Sequence, residues 1–64
     1  MKTHITLAPL RIAMQCDRRL PRNAMGYVAD LRDDALPEIV EDRLTQLARH
    51  IPDLVRQYRA ALQS

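Results

Sequence analysis

The chain has 64 residues, no Phe, no Trp, a single Cys and a net charge of +2. A domain that short buries only about 60% of the surface its unfolded chain exposes, so it depends on a disulfide, a metal or a partner to widen a thin margin of stability. Cys16 has no second cysteine to pair with, and His4 and His50 stand far apart with no ligand at metal-binding spacing. An intrachain disulfide is excluded, a zinc site and any other cofactor are disfavoured, and self-association or complex formation remains.

The longest uncharged run, 3–10, falls far below the roughly 20 residues needed to span a bilayer, and a lone thiol fits a reducing compartment. The expectation is a cytoplasmic chain with no membrane attachment. Charge is unevenly placed. Residues 1–23 carry Lys2, Arg11, Arg18, Arg19 and Arg22 against Asp17, whereas 24–44 carry Asp30, Asp33, Asp34, Glu38, Glu41 and Asp42 against Arg32 and Arg43. Such segregation marks either a basic surface for phosphates or acidic proteins, or complementary faces of a dimer.

Ile5 and Leu7 alternate with His4, Thr6 and Ala8, which predicts a short strand at 2–7 with one buried face. Pro9 suits the first turn of a helix over 10–17, with Arg18 and Arg19 at its negative end. Two periods compete there. Leu10, Ile12, Met14 and Cys16 alternate as a strand would, and a hairpin of 10–16 with 25–31 is the rival arrangement. Ala13, Met14 and Gln15 favour helix, which is the reading adopted. Asn23 is placed to cap a further helix over 24–33 bearing Met25, Val28 and Leu31, weakened by Gly26 by about 1 kcal/mol relative to Ala.

The opening Met-Lys-Thr-His-Ile-Thr-Leu-Ala-Pro, a short helix, the polar turn Pro21-Arg22-Asn23 and a second helix together resemble the ribbon-helix-helix DNA-binding family over about the first half of the chain. The resemblance implies that two chains pair their N-terminal strands into a ribbon that enters the major groove. Lys2, His4 and Thr6 would then face the bases, Ile5 and Leu7 the dimer core, and the amides near Asn23 and Ala24 a phosphate. Arg11, Arg18, Arg19 and Arg22 would supply further phosphate contacts. Pro37 departs from the pattern by cutting the second helix where that family continues it. Without the resemblance, Lys2, His4 and Thr6 are the solvated side of an edge strand.

In the second half, Asp33 and Asp34 are placed to cap, Pro37 suits a first turn, and Glu38, Glu41 and Asp42 complement the positive end of a helix dipole. A helix over 37–49 follows, with Arg43 and Arg49 toward its negative end. Val40, Leu44, Leu47, Ile51, Leu54, Tyr58 and Leu62 then recur at steps of four, three, four, three, four and four, the spacing of one helical face. Pro52 either starts a new helix or kinks a continuous one. Because the stripe stays in phase across it, the expectation is a kinked or briefly interrupted rod, rather than two antiparallel helices, with Arg56 and Arg59 toward solvent.

The expected fold is therefore mainly α: one small domain of three or four helices with a short N-terminal strand, dimeric or partner-bound, with a basic part at 1–33 and an amphipathic part at 34–64. The stripe is either intrachain core or a docking face. Little other apolar material is present to cover it, so Val40, Leu44, Leu47, Ile51, Leu54 and Tyr58 are expected to contact a partner, with the Tyr58 hydroxyl at the rim. Asp33, Asp34, Glu38, Glu41 and Asp42 form a secondary acidic patch. These acids have no histidine beside them, and a chain this small encloses no substrate pocket, so neither an enzyme nor a small-molecule substrate is expected. The function expected is that of a non-enzymatic adaptor or inhibitor, of the compact kind common among mobile-element proteins, acting by occupancy of a protein partner or a second copy. A dimeric ribbon-type transcriptional regulator that binds nucleic acid is the alternative.

Overall fold

The computed structural model describes residues 7–63. Over them the chain forms four α-helices, α1 (Leu7–Cys16), α2 (Met25–Ala29), α3 (Pro37–Leu47) and α4 (Pro52–Leu62), with a 3-10 turn at Arg22–Ala24 leading into α2. The mainly α fold expected from periodicity is what forms. The strand expected at 2–7 lies outside the described residues but for Leu7, which opens α1.

Helix wins at 10–16 because burial there follows a period near 3.6. Leu7 and Met14 are buried, Leu10 packs against the core, and Ile12 and Cys16 are exposed. A strand would have placed Ile12 on the same face as Met14, so the alternating pattern is incidental. The rival hairpin does not form among the described residues. The helix expected over 24–33 is shorter, and Asn23 is not its cap. Pro21, extended at φ −70° and ψ 158°, starts the 3-10 turn, and no side chain caps it. Beyond Asp30, the Leu31 amide still donates to the Val28 carbonyl at 3.0 Å, but the chain turns so that Leu31 enters the core.

Pro37 does occupy the first turn of α3, where its missing amide costs nothing. The residue before it, Leu36, is extended at φ −64° and ψ 144° and takes the N-cap position without a side-chain hydrogen bond. Asp33 and Asp34 are therefore not caps. Their carboxylates accept from Arg11 and Arg32.

The expected rod across Pro52 is overturned. α3 ends at Leu47, the Ile51 amide makes a last helical bond to the Leu47 carbonyl at 2.9 Å, and Ile51 itself sits at φ −134° and ψ 62°, so that Pro52 begins a separate helix. Proline disfavours helical geometry in the residue before it, which is why the break falls at Ile51. Arg59 then pairs with Glu41. In a continuous rod, residues eighteen apart would stand about 27 Å apart at 1.5 Å per residue. Only a fold-back brings them together. An unbroken stripe phase is satisfied equally well by two helices that turn their apolar faces toward a common core, and that is the arrangement adopted.

Contacts fix the remaining directions. Along α4, Leu62 and Tyr58 share a groove with Leu7, Arg11 Nη1 donates to the Tyr58 hydroxyl at 3.3 Å, and Arg19 reaches Asp53 at 3.0 Å. α1 is thus antiparallel to α4. α2 packs on both α1 and α3, and Arg43 Nε on α3 donates to Asp30 at 2.8 Å. The helices run alternately up and down and create two poles. One gathers the 17–21 loop, the 48–51 turn and the starts of α2 and α4. The other gathers the start of α1, the 30–36 loop, the start of α3 and the end of α4.

Candidate functional site

Burial assigns the C-terminal stripe to the interior. Leu44, Leu47 and Ile51 are fully buried, Tyr58 is nearly so, and Val40 and Leu54 are half-buried against the same core. The expected role of Leu44, Leu47 and Ile51 as partner contacts is corrected accordingly. The cover comes from the first half of the chain, where Leu7, Met14, Leu20, Ala24, Val28 and Leu31 complete one continuous core. No partner is needed to remove Leu44, Leu47, Ile51 and Tyr58 from water. Leu7, Leu10 and Met14, at steps of three and four, carried the helical signal that would have revealed this cover.

Tyr58 does not hold its hydroxyl at an interface rim. It donates to the Leu31 carbonyl at 3.4 Å and accepts from Arg11 at 3.3 Å. Arg11 is held on its other side by Asp33 at 3.0 Å. The Tyr58 hydrogen bond, followed by Asp33, raises the Arg11 guanidinium above its usual range. Three elements are tied by one half-buried cation, so Arg11 is a structural residue and not a free phosphate ligand.

What the fold leaves outside is a groove at the second pole. It has a volume of about 510 Å³ and a floor of Leu7, Ala35, Pro37, Val40, Tyr58 and Leu62, with Arg32, Asp33 and Glu41 at the edge. Leu36 stands beside it 61% exposed, and Leu62 is 42% exposed. Of the expected contact set, Val40 and Tyr58 reach this groove, whereas Leu44, Leu47, Ile51 and Leu54 do not line it.

Of the acidic patch, Asp33 and Glu41 edge this groove, and the patch is largely neutralised. Asp33 pairs with Arg11, Asp34 with Arg32, Glu41 with Arg59, and Asp42 with Arg43. Arg43 is raised above its usual range by Asp30 first and then Asp42. Glu38 has no cationic partner among the described residues. On α3, Glu38, Glu41 and Asp42 share one face at helical spacing.

Of the residues expected to bind DNA, Lys2, His4 and Thr6 lie outside the described ones. Arg18 and Arg22 are exposed. Arg19 clamps two acids: it donates to Asp17 through Nε at 3.0 Å, through Nη2 at 2.9 Å and through its own amide at 2.8 Å, and it bridges to Asp53. The Arg19 side chain, and then its amide, pull Asp17 down from 3.8 to about 2, and the same guanidinium lowers Asp53.

A group depressed in the folded state binds its proton less readily there than in the unfolded chain. The stability it contributes is therefore complete above the unfolded value and lost as pH falls through the folded one. For Asp17 that window runs from 3.8 down to about 2. The difference in urea midpoint between the parent and Arg19→Ala should accordingly be constant above about pH 5 and shrink toward pH 2. A difference that grew on acidification would contradict the clamp.

Among the described residues, no His, Cys, Asp and Glu side chains gather into a group that could hold a metal ion, and no helix is long and apolar enough to cross a membrane. Comparison with family models, with curated proteins and with solved structures finds no match.

Proposed function

We propose that this protein is a small non-enzymatic interaction module that acts by occupying a protein partner, and that the partner inserts a basic amphipathic helix into the groove of the second pole. The observation that carries the reading is the pair of exposed leucines, Leu36 and Leu62, at a groove whose floor is apolar and whose edge bears carboxylates. Apolar side chains left in water beside a concavity of this size are a standing gain for any helix that covers them. Glu38 on the first turn of α3, the one described carboxylate with no cation of its own, favours Lys or Arg flanking the partner's apolar anchors. Adaptor and inhibitor differ only in what the occupied partner would otherwise do.

The test is a fluorescence anisotropy titration with a labelled amphipathic peptide that carries leucines at i, i+3, i+4 and i+7 and lysines on both flanks. Leu36→Asp and Leu62→Asp should each keep the helical circular dichroism of the parent. Each should weaken peptide binding by about tenfold, as removal of roughly 1.4 kcal/mol of apolar burial requires. Equal affinity of folded variants and parent would remove the reading.

A further inference from the structure

We propose that the first pole is a binding surface for the phosphate backbone of a nucleic acid duplex, formed by Arg18, Arg22, Arg49 and Arg56. The proposal rests on where ion pairs are made and where they are not. Every described carboxylate except Glu38 is matched by an arginine: Asp17 and Asp53 by Arg19, Asp30 and Asp42 by Arg43, Asp33 by Arg11, Asp34 by Arg32 and Glu41 by Arg59. Arg18, Arg22, Arg49 and Arg56 are exposed and have no carboxylate partner among the described residues. The topology brings all four to one pole. Arg18 lies in the loop after α1, Arg22 opens the turn into α2, Arg49 lies in the turn after α3, and Arg56 is on the second turn of α4. The Arg19 bridge from the first loop to Asp53 fastens these segments to one another.

Four unmatched guanidiniums on one cap make a focused positive field, and the sole acids in those segments, Asp17 and Asp53, are already held by Arg19. The chemistry of the cap selects among polyanions. Guanidinium pairs phosphate in planar, bidentate fashion. The large exposed apolar groups, Ile12, Leu36 and Leu62, lie elsewhere, so the cap has no side chain to bury in a bilayer and no apolar centre for a protein interface. His50 is the one ring in the loop or the turn and is half-buried, which leaves no platform for a run of unpaired bases and disfavours single strands. Backbone contact with a duplex remains, without sequence preference. This surface is separate from the groove, and its test is independent of the peptide experiment.

The experiment measures binding of the full chain to end-labelled random-sequence duplexes, one DNA and one RNA, by anisotropy across a salt series. Four phosphate contacts predict a log-log slope of about −3 to −4, a loss of roughly a hundredfold in affinity between about 50 and about 200 mM salt. Arg49→Gln and Arg56→Gln should each flatten the slope by about 1 with the fold unchanged by circular dichroism, while Arg49→Lys and Arg56→Lys should restore it. Binding of either duplex with that slope supports the assignment. Failure to bind both at low salt, an unchanged slope in the glutamine variants, or tighter binding to phosphatidylserine-containing vesicles or to polyglutamate would overturn it.

Discussion

Leu47→Asp will leave the chain unfolded. Leu47 is fully buried on α3, in the one core that also holds Leu44, Ile51, Met14 and Val28. A domain of 64 residues has about 3–10 kcal/mol of total stability at 0.05–0.15 kcal/mol per residue. Removal of a buried leucine alone costs about 2–5 kcal/mol, and a carboxylate with no partner in the same space adds the expense of desolvating it or of keeping it protonated. The sum meets or exceeds what is available. Far-ultraviolet circular dichroism should show loss of helix without denaturant. The variant separates two accounts of the stripe, because a partner-facing Leu47 would give a folded, more soluble chain that had lost only its binding.

The second large effect is expected on the other side of the core. Met14→Ala should lower stability by about 2–5 kcal/mol, which for a domain of this size corresponds to at least about 8 °C in Tm. Ile12→Ala, two residues away and 59% exposed, should remain within about 0.5 kcal/mol of the parent. The contrast matters more than either value. In an alternating strand Ile12 and Met14 share a face and would be equally sensitive, whereas on α1 they point to opposite sides. Thermal melts of the two variants decide it, and equal shifts would contradict the helix.

Both expectations draw on a core whose two halves were unequally visible in the linear chain. Pro37, the acids after it and the spacing of Leu44 and Leu47 announce α3, because a helix start and an apolar face are written within one or two turns of sequence. Met25, Val28 and Leu31 were likewise recognisable as one face, and all three join the core. The boundaries of α2 are not legible, and the cap that Asn23 suggests does not form, since Pro21, the tertiary pull on Leu31 and the Arg43–Asp30 pair fix where the helix starts and ends. The stripe itself was read correctly as a surface that must leave water. Its covering is not legible because Leu7 falls in an alternating stretch while Leu10 and Met14 fall in a helical one, so the apolar material available to bury the stripe looks too scant.

The charges teach a related lesson. Counted along the chain, the acids of 30–42 form a cluster that invites a role as a patch, yet in space Arg11, Arg32, Arg43 and Arg59 arrive from three helices and a loop to neutralise nearly all of it. Conversely, Arg49 and Arg56 read in sequence only as the end of one helix and the solvent side of another, with nothing to join them to Arg18 and Arg22. Only the fold-back at Ile51 places them at the same pole as Arg18 and Arg22.

The sequence by itself determined that the chain is helical, where prolines divide it, and which side chains must be buried, because propensity, capping and periodicity act over a few residues and are legible locally. The tertiary structure alone decided that α3 and α4 fold back on one another, that the stripe is covered from within, and which cations keep a free charge. Those outcomes depend on which of several compatible faces meet, and the meeting is set by packing between segments twenty to fifty residues apart, for which no short pattern carries a signal.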